Sequence, residues 1–89
     1  MNSEASIRRI IRLFLIEPGP HTASRIEHRA AVQGRRLGDN IRILCINEML
    51  HQHAYTDHRG DQLTIYSLTA KGRDYARQLG LVPAEAVGT

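Results

Sequence analysis

The chain has 89 residues, a formal net charge of +3 at pH 7 and a hydrophobic fraction of 42%, which together indicate one small globular domain spanning residues 1–89. Aromatic residues make up only 4% of the sequence, so side chains that could stack on single-stranded bases are scarce. A chain this short also has too little material for the paired catalytic groups and the cleft of an enzyme, and we expect no catalytic activity.

The positive charge comes almost entirely from arginine and is unevenly placed. Eleven of the twelve basic residues are Arg, and residues 1–50 carry eight of them against five acidic residues, whereas residues 51–89 carry four basic and four acidic residues. The planar guanidinium suits phosphate groups and guanine edges. The asymmetry therefore favours an anionic partner, most simply nucleic acid, over the alternative of a mildly basic solvated surface.

Cellular location is predicted from two simple features. The single cysteine, Cys45, excludes an internal disulfide and indicates a reducing compartment. The apolar run at residues 13–16 is far too short to span a membrane, and we see no signal-peptide pattern. We expect a cytoplasmic protein with no membrane partner and no cofactor.

The first predicted helix covers residues 4–17 after a frayed start at residues 1–3. Its apolar residues recur at helical spacing and then widen to most of the circumference, which is typical of a helix with two packing neighbours and favours a dimer. Pro18 and Pro20 end this helix because neither can donate an amide proton. Its arginines, Arg8, Arg9 and Arg12, are expected to form an ordinary exposed face; the apolar residues are Ile7, Ile10, Ile11, Leu13, Phe14, Leu15 and Ile16.

The second predicted helix covers residues 23–32 and follows a short extended piece at residues 21–22. Thr22 is the expected N-cap, and Ser24 with Glu27 offers an alternative capping box one turn later. Gly34 is expected to take a positive φ after the helix end. The expected buried face consists of small residues and one isoleucine, namely Ala23, Ile26, Ala30 and Ala31.

The third predicted helix covers residues 36–52. Its first residues are polar, whereas from Ile41 onward apolar residues occupy nearly the whole circumference. The front is thus expected to face water or a ligand and the back to be enclosed, again by a second subunit or another helix.

A change to period-two alternation follows the third helix. Two β-prone runs flank Arg59-Gly60-Asp61, which predicts a β-hairpin with a tight turn. Thr69 then caps a last helix over residues 70–79, and Gly80 ends it. Residues 81–89 are expected to form a tail that is either loose or strapped to a partner.

The order helix, short strand, helix, turn, helix, two-stranded hairpin, helix resembles the winged helix-turn-helix domain of bacterial and phage transcription regulators over residues 6–79. The most specific local match is Tyr66-Ser67-Leu68-Thr69-Ala70-Lys71-Gly72-Arg73, which is similar to the segment joining the second wing strand to the closing helix in that family. A second match is Gly19-Pro20-His21-Thr22-Ala23-Ser24, similar to the start of the family's second helix. The resemblance implies an α+β fold with a three-helix core, a two-stranded wing and a C-terminal closing helix.

The same resemblance implies a function and a set of binding residues. It makes the chain a small transcription regulator that binds specific sequences of double-stranded DNA. The wide apolar faces of the first and third helices predict a homodimer, which would bind two half-sites about one helical turn apart. Residues 36–52 become the recognition helix in the major groove, and residues 54–68 become a wing on the flanking backbone or minor groove. Arg can pair with guanine, Asn with adenine and Asp with cytosine, while the front of the second helix would bond phosphates. The implied DNA-binding residues are Thr22, Ser24, Arg25, Arg35, Arg36, Gly38, Asp39, Asn40, Arg42, His58 and Arg59.

Two other interpretations compete with DNA binding. The modest net charge and the apolar excess on the first and third helices favour a winged-helix module that binds a protein, for example a phage or mobile-element protein that binds a host protein. A metal site is the second, because Cys45, His51, His53, Asp57 and His58 are metal-ligating residue types. His51 and His53 would diverge on a helix, so we expect no metal.

Overall fold

The computed structural model describes residues 3–81, which form an α+β domain with four helices and a three-stranded antiparallel sheet. Residues 1–2 and 82–89, which hold most of the predicted frayed start and tail, lie outside the described residues; Ser3 begins the first helix and Leu81 is buried. The predicted order of elements is confirmed. The elements are α1 Ser3–Ile16, β1 His21–Thr22, α2 Ala23–Ala30, α3 Gly34–Ile46, β2 Leu50–Thr56, β3 Gln62–Leu68 and α4 Ala70–Gln78.

The hydrophobic core lies around α1, which packs against α2, α3 and α4. Ile10 and Ile11 of α1 and Ile26 of α2 are fully buried, and Leu44 of α3 is almost so. As the composition predicts, the core is mainly aliphatic. The prediction that the apolar residues at helical spacing form the packing face of α1 is therefore confirmed.

The second helix ends two residues before the predicted boundary. Its N-cap is the predicted one, because the Thr22 hydroxyl accepts a hydrogen bond from the Arg25 amide at 3.1 Å. The helix stops because Ala31 adopts the left-handed conformation with φ 56°, which turns its side chain into solvent. The prediction that Ala31 belongs to the buried face is wrong. Gly34 does have a positive φ of 64°, but it begins α3 instead of following α2.

The third helix ends at Ile46, six residues before the predicted boundary. Glu48 takes a left-handed φ of 61°, its amide donates to the Cys45 carbonyl at 3.0 Å, and the Met49 amide donates to the Leu44 carbonyl at 2.8 Å. These two bonds form a Schellman motif, which usually has glycine at the left-handed position. Because Glu48 takes that position, Leu50 already begins a strand, and the hairpin is longer at its base than the predicted wing of residues 54–68.

Replacing Glu48 by glycine is expected to raise the unfolding free energy by about 0.5–1 kcal/mol, because glycine removes the side-chain strain of the left-handed conformation. Urea denaturation of the two proteins measures this difference. Glu48→Ala is the matched control, since it removes the same carboxylate while keeping a Cβ at the strained position. Equal stability of both variants would contradict a left-handed residue 48.

The hairpin is regular and is joined to the helices at its base. Its strands pair in register from Leu50 opposite Leu68 to Thr56 opposite Gln62. At the tip, one Asp57 carboxylate oxygen accepts hydrogen bonds from the amides of Arg59 and Asp61, both at 2.9 Å. β1 pairs with the inner strand β3, so the sheet is attached on the side that leads into α2.

The closing helix begins at the predicted residue and ends at Gln78, one residue before the predicted boundary. The Thr69 hydroxyl accepts a hydrogen bond from the Gly72 amide at 3.0 Å and donates one to the Glu48 carbonyl at 2.6 Å, which joins the start of α4 to the end of α3. Gly80, with φ 79°, follows the helix, and the Leu81 amide donates to the Ala76 carbonyl at 2.9 Å. The predictions that Thr69 caps the start of this helix and that Gly80 follows its end are confirmed.

Candidate functional site

The third helix has one packed side and one open side. Leu37, Ile41 and Leu44 are buried in the core, and residues spaced three and four positions apart share a helix face. The opposite face is exposed. It carries, in order, Arg35, Gly38, Asp39, Arg42 and Ile46; we call these five residues the outward face.

Asn40 does not lie on the outward face. It follows Leu37 by three positions and precedes Leu44 by four, so it shares their side of the helix, and only 1% of its surface is exposed. The prediction that this amide is directed outward to read adenine is therefore wrong for this conformation. Arg36, also predicted as outward, lies half-buried at the margin between the two faces.

Ile46 belongs to the outward face, although we expected it in the enclosed back of the helix. The side chain is 71% exposed, and Ile43 beside it is 44% exposed. Within the described domain this part of α3 is therefore uncovered, and its enclosure by a second subunit stays a prediction. The available signal was spacing, because Ile46 follows the polar Arg42 by four positions.

The start of α2 is partly occupied by internal contacts. The Thr22 hydroxyl is used for capping, whereas Ser24 is exposed. The Arg25 guanidinium lies 3.3 Å from a Glu17 carboxylate oxygen, and Arg29 lies 3.7 Å from the other oxygen of the same group. Glu17 therefore offsets part of the positive charge expected at this helix start, although such exposed ion pairs are weak.

The wing tip is fully open to a partner. His58 and Arg59 are exposed, and the Arg59 guanidinium is 4.0 Å from an Asp61 carboxylate oxygen in a pair with both side chains mostly exposed. A pair of this kind contributes little and is easily exchanged for another anion.

The arginines fall into two sets, according to whether the guanidinium group contacts another described residue. Arg8 donates to the Leu79 carbonyl at 3.0 Å and Arg9 to the Ala30 carbonyl at 3.2 Å, so these two brace the ends of α4 and α2. Arg9 is nevertheless exposed as expected, whereas Arg8 is half-buried. Contacts to carbonyl or carboxylate groups also occupy Arg25, Arg29, Arg59, Arg73 and Arg77. Among residues 3–81, the arginines with no hydrogen bond or ion pair to another described residue are Arg12, Arg35, Arg36 and Arg42.

The potential metal-ligating residues are distributed differently from the prediction. His51 and His53 lie on β2, not on a helix, so their rings share one face of the strand with centroids 5.2 Å apart. Within the described part of the chain, no group of three or more Cys, His, Asp or Glu side chains could hold a metal ion. Burial raises the pKa of the Cys45 thiol, which keeps the sulfur protonated and weakens it as a nucleophile or ligand.

None of the helices formed by residues 3–81 is long and apolar enough to cross a membrane. The longest, α1, has 14 residues, whereas a membrane span needs about 20.

Comparison with known proteins bears on the fold. No family model matches the sequence, and no match was found among curated proteins. The chain is similar to the X-ray structure of a PadR-like transcription factor from Bacteroides fragilis, with a TM-score of 0.67 and 23% identity over 83% of this chain and 76% of that one. The chain has the winged-helix fold. In this fold, β2 and β3 with their connecting turn are the wing, and α2 with α3 is the helix-turn-helix.

Proposed function

We propose that this winged-helix domain binds double-stranded DNA as a transcription regulator, with α3 as its recognition helix. The observation that carries this proposal is the distribution of unpartnered arginines, since three of the four, Arg35, Arg36 and Arg42, lie on α3. Arg35 and Arg36 lie at the start of the helix, where positive side chains oppose the helix dipole. Their presence there is unfavourable for the isolated domain and is explained by an anionic partner.

The outward face supplies the chemistry for base recognition. An α-helix fits the major groove of B-DNA, where Arg35 and Arg42 would bond guanine edges and Asp39 would accept from cytosine N4. Gly38, between them, has open space around it, so the helix backbone can come close to the base edges. Asn40 has no part in this set because it is buried.

Backbone contacts would come from the two flanking regions. Ser24 and Arg25 at the start of α2 would bond phosphates, with the helix N-terminus adding its partial positive charge. His58 and Arg59 at the wing tip would contact the neighbouring backbone or minor groove. Such contacts set the register of the protein on DNA without reading sequence.

We further propose that the regulator acts as a cytoplasmic homodimer of bacterial or phage type. Outside the outward face, Ile16 of α1 and Ile43 of α3 are 57% and 44% exposed, and covering apolar side chains of this size would favour association. Two copies would then bind half-sites related by the dimer axis.

The decisive experiment compares two double variants after selection of bound sequences from random duplexes. Arg35→Ala with Arg42→Ala is expected to weaken binding to the selected duplex at least about tenfold and to relax sequence preference, because a bidentate base contact contributes about 1–3 kcal/mol. Arg12→Ala with Arg77→Ala is the matched control, since it removes the same net charge from exposed sites outside α3. Affinity is measured over a range of salt concentrations by fluorescence anisotropy.

Two outcomes contradict the proposal. Equal loss of affinity in both double variants shows that net charge, not α3, governs binding. Absence of duplex binding at low salt, or affinity that does not fall with added salt, excludes a protein that neutralises several phosphates. The second outcome favours a protein-binding module, for which the exposed Ile43 and Ile46 are the specific structural support.

A further inference from the structure

A surface depression of about 430 Å³ lies where α1 meets the turn before α3. It is adjacent to the outward face and shares Arg35 and Asp39 with it, while α1 contributes Arg9. Its polar lining consists of Arg9, Gln33, Arg35, Arg36, Asp39 and Asn40.

Positive charge dominates this lining. Arg9 is held in place because its Nε and one terminal nitrogen donate to the carbonyls of Ala30 and Ala31 at 3.2 and 3.5 Å. Arg35 and Arg36 have no hydrogen bond or ion pair within residues 3–81. Three guanidinium groups thus face a single carboxylate, that of Asp39, and the excess positive charge attracts an anion.

Unused hydrogen-bond donors reinforce the charge. Asn40 lines the depression with 1% of its surface exposed, and its amide nitrogen has no hydrogen-bond partner within the described domain. A buried donor left unpaired is unfavourable, because it has lost its hydrogen bonds to water. The first amides of α3 also lack a side-chain cap, because Gln33 makes no capping bond, and such amides bind anions.

We propose that this depression is a binding site for a phosphate group. A phosphate group carries negative charge on several acceptor oxygens, and it can accept hydrogen bonds from several of these donors at once. Its source is either the DNA backbone beside the recognition helix or a free phosphate ester. The first source rests on the proposed function, whereas the second does not.

The first experiment uses the full chain without DNA. Inorganic phosphate is titrated at constant ionic strength, set with chloride, while amide signals are followed by NMR. Saturable shifts are expected for the amides of Arg35 and Arg36 and for the side-chain amide of Asn40. Arg36→Gln is expected to weaken phosphate binding about tenfold, the loss of about 1.4 kcal/mol, and Arg12→Gln, as the matched control, to leave it unchanged.

A second variant separates loss of the site from loss of the fold. Asn40→Asp keeps the size of the side chain but adds a carboxylate to the lining, and it is expected to abolish phosphate binding while the thermal unfolding transition stays cooperative. Phosphate shifts that chloride reproduces, or phosphate affinity unchanged in both Arg36→Gln and Asn40→Asp, would overturn the proposal.

The source of the phosphate is decided with the selected duplex. If the DNA backbone supplies it, Arg36→Gln reduces the slope of log affinity against log salt by about one and leaves sequence preference intact. If phosphate binds the free protein but that slope does not change, or no duplex binds at all, a phosphate ester is the ligand. In the remaining case, the protein binds the duplex but not inorganic phosphate, and the salt slope is the same in Arg36→Gln. That result retains the proposed function and refutes this site.

Discussion

Replacing Gly72 by alanine is expected to lower the unfolding free energy by about 1–3 kcal/mol, or more if the backbone cannot shift. Gly72 is buried in α4, and a Cβ there would overlap the Met49 carbonyl oxygen and lie 2.5 Å from Leu68 Cδ1. Relief would require α4 to move away from the base of the wing. Urea denaturation followed by circular dichroism measures the loss, and the melting temperature should fall by about 4–8 °C per kcal/mol.

Gly38→Ala provides the matched control for this prediction. The change is chemically identical and also lies inside a helix, but Gly38 is exposed with no atom within 4 Å of an added Cβ. It is expected to raise the unfolding free energy by about 0.5–1 kcal/mol, since alanine favours the helix. A wild-type stability for Gly72→Ala would show that α4 does not approach the wing so closely.

Replacing Ile26 by alanine is expected to have the largest effect on stability, a loss of about 2–5 kcal/mol. Ile26 is fully buried in α2, so the substitution removes three carbon atoms from the core and leaves a cavity. A domain of this size is stabilised by only about 5–15 kcal/mol in total. The loss is therefore a large fraction of the total, and the melting temperature is expected to fall by at least about 8 °C, which differential scanning calorimetry measures.

Ile46→Ala tests the same chemical change at the surface. Because Ile46 is 71% exposed, its truncation is expected to change the unfolding free energy by no more than about 0.5 kcal/mol. A large loss in the isolated chain would mean that Ile46 is covered, for instance by a second copy. Repeating the measurement at several protein concentrations separates these cases, since the stability of a dimer rises with concentration.

The sequence predicted the elements that rest on periodicity and on common capping residues. Thr22 and Thr69 cap the starts of α2 and α4 as expected, because their hydroxyls accept hydrogen bonds from helix amides. Gly80 follows the end of α4 as expected, because a residue without a side chain adopts a positive φ easily. The hairpin around Gly60 follows from alternation and from the turn residues. These signals are local, so a single sequence contains them.

The end of α3 could not be predicted in the same way. Glu48 holds the left-handed position that glycine usually takes, and Met49 and Leu50 continue an apolar run that suits a helix as well as a strand. What decides the boundary is tertiary, since the Thr69 hydroxyl donates to the Glu48 carbonyl and the Thr69 amide to that of Met49. Both donors belong to Thr69, which follows the second strand of the hairpin and is distant in sequence from the end of α3.

In the candidate site, too, local signals predicted some residues correctly and tertiary contacts decided the others. The helical positions of Arg35, Asp39 and Arg42 follow from spacing, and the structure leaves them exposed. Asn40 was misplaced because a polar residue in a polar segment gives no sign of burial. The depression beside it also escaped prediction, because Arg9 is brought there by the packing of α1 against the end of α2.

The pairing of β1 with β3 has a consequence for the order of folding. The hairpin closes between neighbouring segments, whereas His21 and Thr22 reach Tyr66 and Ile65 only after the chain has passed through α2, α3 and the whole of β2. Closing a long loop costs more entropy than closing a short one, so non-local pairing tends to form late. The helix-turn-helix lies inside that loop. The pairing that ties the start of the helix-turn-helix to the wing is therefore expected to form in one of the last steps of folding.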